Sequence, residues 1–233
     1  MKNMVTLPDG AKVPAIGQGT WFLGEHPTRL KQEEEALRAG VGAGMTLIDT
    51  AEMYGNGKAE ELIGKTLPEL KREELFLVSK VYPHNAGRRN IFKSCMASMK
   101  RMGVDYLDLY LLHWRGAIPL EETVACMEQL KKEGKIRRWG VSNFDTADME
   151  ELWSVPGGKN CAVNQVLYHV ASRGIEYDLL PWMREHHVPV MAYCPLAQGG
   201  DLRRGLYDSA VLNKIAQAHE ATVSQVLLAF VIR

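Results

Sequence analysis

Short apolar runs alternate along this chain with longer stretches whose apolar positions recur every three or four residues. The runs at 15–19, 45–50, 75–81, 106–113, 137–142, 161–167 and 188–193 read as β-strands. The stretches at 29–43, 58–70, 90–102, 120–133, 145–153 and 176–187 read as helices. In 120–133, Val124, Met127 and Leu130 fall on one face, and Gly134 stands where a left-handed residue would end the helix. In 90–102, Ile91, Cys95, Met99 and Met102 make the inward stripe before Gly103. Residues 4–15 predict a hairpin turning at Pro8-Asp9-Gly10.

Strands that alternate with helices, with no Pro/Gly/Ser-rich linker between them, predict a parallel sheet covered by helices in one domain over 1–233. The expected fold class is α/β, a (β/α)8 TIM barrel preceded by the hairpin. The seven strand candidates fall one short of eight. The tail offers a further helix instead, opened by Thr222 with Gln225 and faced by Val223, Val226, Leu227, Phe230 and Val231. The sequence stops at Arg233 inside that pattern. The expectation is therefore a chain truncated or incompletely represented at its C-terminus, with the last βα unit missing.

Composition narrows the partners. Of the 233 residues 46% are hydrophobic, enough for a sizeable core, and Lys plus Arg balance Asp plus Glu at 28 each. Such a balance predicts neither nucleic acid nor an anionic membrane as partner. No apolar run reaches the length of a membrane span, and the first residues turn polar at Leu7-Pro8-Asp9-Gly10, so no signal sequence is expected. Cys95, Cys126, Cys161 and Cys194 form no Cys-x-x-Cys pair, which suits reduced thiols in a cytoplasmic protein.

The strand ends carry the candidate chemistry. The run at 45–50 contains Asp49, with Tyr54 just beyond it; the run at 75–81 contains Lys80; the run at 106–113 ends on His113. Polar groups at the carboxyl ends of successive strands are how a βα barrel displays an active site. An acid, a phenol, an amine and an imidazole form a proton-transfer set suited to carbonyl reduction, where hydride addition builds negative charge on oxygen. In that reading Tyr54 is the general acid, a Lys80 ammonium paired with Asp49 lowers its pKa, and His113 orients the carbonyl.

The same residues carry a resemblance. Gly17-Gln18-Gly19-Thr20-Trp21, Ile48-Asp49-Thr50-Ala51-Glu52-Met53-Tyr54-Gly55, Val78-Ser79-Lys80-Val81, Leu111-Leu112-His113-Trp114, Trp139-Gly140-Val141-Ser142-Asn143, Asn164-Gln165 and Ala192-Tyr193-Cys194-Pro195-Leu196 stand in the order and spacing of the aldo-keto reductases. The chain resembles that family over its whole length, and within it the bacterial NADPH-dependent aldehyde reductases, including those that reduce methylglyoxal. The resemblance implies NADPH as cofactor, with NADH the less favoured form, and a monomer acting on a small aldehyde or ketone. It places the nicotinamide on Tyr193, with its carboxamide held by Ser142, Asn143 and Gln165. Gly19, Thr20, Trp21, Asp49, Pro195 and Leu196 complete the cofactor set, and the loop at 195–200 runs past the pyrophosphate. Cys194 stands where serine is commoner in the family.

Trp21, Tyr82 and Trp114 follow strand ends and are expected, with Tyr54 and His113, to wall the substrate pocket. Trp153 and Trp182 lie on helical stretches and are expected in the core. His186-His187 beside Glu185 lacks metal-ligand spacing, and no metal is expected. Tyr54-x-x-x-Lys58 imitates the catalytic pair of short-chain dehydrogenases, but no Gly-rich turn opens a helix after the first strand. Two other functions use the same residues: a lyase forming a Schiff base on Lys80, and a cofactor-binding regulatory subunit without catalysis.

Overall fold

The computed structural model of the protein describes residues 4–198 and 200–232. β1 (Met4–Thr6) and β2 (Lys12–Pro14) form the expected hairpin, with Met4 opposite Pro14 and Thr6 opposite Lys12. Gly10 takes φ 86°, and the Ala11 N–H donates to the Asp9 carboxylate at 3.1 Å, which closes the turn. Arg138 holds the tip of the hairpin through an ion pair to Asp9 at 2.7 Å.

Seven parallel strands follow in sequence order within one sheet: β3 (Gln18–Gly19), β4 (Leu47–Asp49), β5 (Phe76–Val81), β6 (Leu109–Leu112), β7 (Trp139–Ser142), β8 (Asn164–Leu167) and β9 (Val190–Tyr193). Helices α1 (Leu30–Gly42), α2 (Lys58–Thr66), α3 (Ile91–Met102), α4 (Leu120–Lys132), α5 (Thr146–Ser154) and α6 (Leu179–Glu185) follow β3 to β8 one by one. Parallel strands in chain order, each returned by a helix, are the arrangement of a β/α barrel wall. β3 and β9 are the outer strands, and no ladder joins them among the described residues.

The predicted helix stripes are buried as expected. Ile91, Cys95, Met99 and Met102 of α3, and Val124, Met127 and Leu130 of α4, all sit in the main core cluster. Gly103 and Gly134 stand just past those helices at φ 67° and 71°, a conformation that glycine adopts without a Cβ penalty. Trp153 and Trp182 are half-buried against this cluster, ring to ring at 5.0 Å.

Two differences from the sequence reading concern extent. The ladders are shorter than the apolar runs: 106–108 and 161–163 precede β6 and β8 outside them, with Asp108 in a bend and Leu107 bridging singly to Ile136. Beyond β9, a stretch given no element from the sequence holds two helices, α7 (Gly200–Tyr207) and α8 (Ala210–Ala218). α7 buries none of its side chains, so it leaves no apolar stripe to read. The helix α9 (Val223–Val231) opens on the expected Thr222/Gln225 capping box. Gly199, within the expected pyrophosphate loop, and Arg233 lie outside the described residues.

Side-chain parity along the strands decides where the chemistry points. Leu47, Val78, Leu109, Leu111 and Val163 pack with the hairpin residues Leu7 and Val13 in an inner cluster. Ile48, Leu77, Tyr110, Leu112, Val141 and Val166 instead join the outer cluster under the helices. Residues two apart share a face of a strand. Asp49 therefore shares the inner face with Leu47, Lys80 with Val78, His113 with Leu111, and Gln165 with Val163. Gly140 also lies on this parity, and a Cβ there would meet Val163 O at 2.6 Å, so that approach of β7 to β8 requires glycine.

Candidate active site

A cavity of about 810 Å³ opens above the inner cluster, lined by Gly19, Thr20, Trp21, Asp49, Tyr54 and His113 on one side. Trp114, Ser142, Asn143, Gln165, Tyr193, Cys194, Pro195 and Leu196 line the other. All of the expected cofactor residues thus face one space. At its base Lys80 Nζ donates to Asp49 Oδ1 at 2.7 Å, to Thr50 O at 2.8 Å and to Tyr54 Oη at 3.1 Å. Those three acceptors use all three ammonium protons. The Lys80 side chain is wholly buried, so only an ion pair makes its charge tolerable there.

Asp49 is fixed from three directions. Its Oδ2 accepts from Gln165 Nε2 at 2.9 Å, while its carbonyl accepts both the Thr20 N–H and the Thr20 hydroxyl at 3.0 Å. Tyr54 stands at the head of a tight turn (Tyr54–Gly57) in which Gly55, Asn56 and Gly57 have φ of 57°, 54° and 92°. Three consecutive left-handed residues, two of them glycine, aim the phenol back toward β5 rather than outward. Its ring meets the His113 ring edge-on at 5.8 Å between centroids.

The electrostatics correct one expectation. The Tyr54 pKa is raised, not lowered, first by burial and next by the Asp49 carboxylate, with smaller contributions from Cys194 and Tyr193. The Lys80 charge is already matched by Asp49 at 2.7 Å, so little of it is left to favour a phenolate. Burial also lowers the Lys80 pKa, against the opposing pull of Asp49. Burial, then the Lys80 charge, pushes the His113 pKa down to about 3, so its imidazole is neutral near pH 7. Among the described residues, none hydrogen-bonds its buried Nδ1.

A pH prediction follows from His113. Unfolded, the ring takes a proton near 6.5; folded, it refuses one until about 3. Protonation then favours the unfolded chain, and His113 withdraws stability as pH falls through that window. The imidazole resonances of His113 should show no titration between about pH 5 and 8 by NMR; an inflection near 6.5 would contradict the buried neutral ring.

The expected pocket walls are brought together only in part. Trp21 lies across the cavity mouth, 6.4 Å from the Tyr54 ring, and Trp114 lines the far side. Tyr82 does not line the cavity. It stacks on His84 at 4.8 Å and meets the Trp114 ring edge-on at 5.9 Å, so it buttresses Trp114. Phe22, not singled out in the sequence, is 59% exposed, stacked on Trp21 at 4.5 Å and held at φ 71°. Its adjacency to Trp21 was the available signal. Glu52 was also missed: its carboxylate accepts from the Tyr82 N–H at 2.7 Å and from Asn85 Nδ2 at 3.2 Å, tying the Tyr54 segment to the loop after β5.

The polar groups at the ends of β7 and β8 form their own net. Asn143, at φ 59°, donates to His113 O at 3.0 Å and to Ser142 Oγ at 3.2 Å, and its Oδ1 accepts from Tyr193 Oη at 2.9 Å. Ser142 Oγ donates to Gln165 O at 2.8 Å. Gln165, which lines the cavity, gives its NH₂ to Asp49 Oδ2 at 2.9 Å and to Met191 Sδ at 3.2 Å, which leaves its Oε1 as an acceptor. An amide-bearing ligand fits this set through its N–H groups, which can meet Gln165 Oε1 and the second lone pair of Asn143 Oδ1. The Ser142 and Asn143 protons are spent within the net, so a ligand acceptor there must displace one of those bonds.

The Aldo/keto reductase family profile matches residues 15–233. The chain belongs to that family. It is 59% identical to the methylglyoxal reductase YeaE of Escherichia coli over 99% of its own length and 81% of that enzyme's. It is 35% identical to a glyoxal reductase of Bacillus subtilis over 98% of its length and 78% of that protein's. The crystal structure of an aldo/keto reductase from Klebsiella pneumoniae in complex with NADP and acetate superposes with a TM-score of 0.96 at 57% identity, covering 100% of this chain and 82% of the other. The expected family and barrel architecture thus hold. His186, beside the Glu185 considered for a metal, stacks on the Trp182 ring at 3.8 Å.

Proposed function

We propose that this chain reduces small aldehydes and ketones, methylglyoxal among them, to alcohols with NADPH. The observation that carries the reading is Lys80 Nζ bonded at once to Asp49 and to Tyr54 Oη at the base of a cavity shared with His113. The names of the relatives, and the NADP-bound neighbour, supply the substrate class and the cofactor. Ser142, Asn143, Gln165 and Tyr193 would hold the nicotinamide end, and bound there NADPH supplies the hydride. The chain's own residues do the rest. His113, neutral, donates to the carbonyl oxygen and orients it. Tyr54, kept protonated by its burial, passes its proton to that oxygen as the C–H bond forms and the carbonyl π bond breaks. The Lys80 ammonium 3.1 Å away stabilises the phenolate that results, and Asp49 keeps the ammonium charged and in place.

The Schiff-base alternative fits less well, since all three Lys80 donors are engaged and its side chain is fully enclosed. The proposal extends to a monomer working in the cytoplasm, which suits four free cysteines, three of them buried. Among the described residues, no helix is long and apolar enough to cross a membrane. Steady-state oxidation of NADPH and of NADH with a panel of small aldehydes tests the reaction. Folded protein that oxidises neither cofactor with any carbonyl would reject it. For the cofactor end, Asn143→Ala and Gln165→Ala should each weaken NADPH binding by about 1–3 kcal/mol, the cost of one lost buried hydrogen bond. Fluorescence titration measures this, and unchanged affinity in both variants would remove these residues from the site.

A further inference from the structure

Behind the inner face, on the outer parity of β5, lies a second buried charge. Glu60 of α2 is 0% exposed; one carboxylate oxygen accepts from Ser79 Oγ at 2.6 Å and the other from Arg101 Nε of α3 at 2.6 Å. Ser79 is the residue before Lys80 on β5. Arg101 also packs beneath the Tyr54 turn: a Cβ on Gly57 would come within 2.6 Å of Arg101 Cδ. One ion pair thus touches both the strand that carries Lys80 and the turn that carries Tyr54.

A buried ion pair is a poor device for stability alone, because desolvating two charges consumes most of what their attraction returns, and apolar side chains of the same volume serve as well. We propose that Glu60, held by Arg101, is a positioning residue that fixes Lys80 and Tyr54 relative to one another and supplies negative charge behind the Lys80 ammonium. This rests on the reductase reading of the site. The groups that face Glu60 are Arg101 and Cys95 from α3, Tyr110 from β6 and Lys80 from β5. Those that face Lys80 are Asp49, Tyr54 and His113. Asp49 among them and Glu60 behind the strand favour the charged lysine. Asp49 touches the ammonium, and Glu60 acts from the opposite face of the strand.

The test is the pH dependence of kcat/KM for aldehyde reduction with NADPH. Its basic limb reports loss of the proton shared by the Tyr54–Lys80 pair. Glu60→Gln keeps an acceptor for Ser79 and the side-chain shape but leaves the Arg101 charge uncompensated. Its basic limb should move down by about one pH unit, the scale of a nearby charge. The double variant Glu60→Gln/Arg101→Met removes both charges and should return the limb to within about a third of a unit of the wild type. The value of kcat should stay lowered in both variants, because each has lost the ion pair that ties β5 to the Tyr54 turn. A purely structural tie would lower kcat and leave both limbs unmoved, and a double variant with wild-type kcat would overturn the positioning role. An unmoved limb in Glu60→Gln, or a double variant displaced further in the same direction, overturns the proposal. Should Glu60→Gln not fold, Arg101→Met exposes Lys80 to an unpaired Glu60, and the limb must then move up. Tyr54→Phe, measured alongside, separates the two readings. If its activity survives, the reductase assignment of the tetrad fails; if its activity is lost while the limb of the Glu60 variants stays fixed, only this inference fails.

Discussion

Tyr54→Phe should keep the fold and NADPH affinity while lowering kcat by at least ~10²-fold, the scale of general acid catalysis. The substitution removes one oxygen atom. That oxygen makes a single hydrogen bond in the tetrad, from Lys80 at 3.1 Å, and Lys80 keeps Asp49 and Thr50 O as partners afterwards. The ring itself packs edge-on against His113 at 5.8 Å and is retained in Phe. Structure therefore changes little, while the only proton donor bonded to Lys80 disappears. The loss should fall on kcat and kcat/KM alike, because a proton transfer made only in the transition state is removed. A variant that retains near-native carbonyl reduction would take Tyr54 out of the acid role, and His113 would be the next group to test.

Much of this site was legible in the sequence because parity is legible. Leu47 to Asp49, Val78 to Lys80, Leu111 to His113 and Val163 to Gln165 are each two residues apart, so any strand assignment that buries the first member inside the barrel delivers the second to the same face. What stayed hidden depended on contacts between elements. Glu60 and Glu61 open α2 side by side and read as an ordinary polar helix start, yet Glu60 is buried and Glu61 is exposed. The pairing with Arg101 spans forty-one positions of sequence and leaves no local signature. Glu52 sits within a motif that was read for Asp49 and Tyr54, and its tie to Tyr82 follows only from the loop geometry. Gln165 was read as a cofactor ligand, and its lateral bond to Asp49, 116 positions away, adds a structural duty that spacing does not reveal. The sign of the Tyr54 shift also escaped. A neighbouring ammonium suggested a lowered pKa, but burial and the carboxylate that neutralises that ammonium outweigh it.

Asp49→Ala should be the most destabilising change at this site, costing about 3–5 kcal/mol in denaturant unfolding, the range for stripping one partner from a buried ion pair. The Lys80 side chain is fully enclosed and would keep only two neutral acceptors, Thr50 O and Tyr54 Oη. Lys80→Met should cost less. Asp49 is 14% exposed and would still accept from Gln165 Nε2 at 2.9 Å, and the methionine fills the lysine's path without a charge. The two variants should also differ in pH dependence. Burial already lowers the folded Lys80 pKa below 10.5, and removing Asp49, its largest opposing influence, lowers it further. A depressed folded pKa means that protonation favours the unfolded chain, so the Asp49→Ala deficit grows as pH falls below the folded Lys80 pKa of the wild type. There the wild-type lysine is charged and the variant's is not, and the deficit is smallest above that value. Urea unfolding at about pH 6 and pH 9 should therefore show a narrower gap from wild type at the higher pH for Asp49→Ala. Lys80→Met has lost the titrating group and should not narrow in that way. Equal costs for the two variants, or a deficit of Asp49→Ala that widens with pH, would mean that Lys80 is not held charged by Asp49, and the proton path through Tyr54 would lose its support.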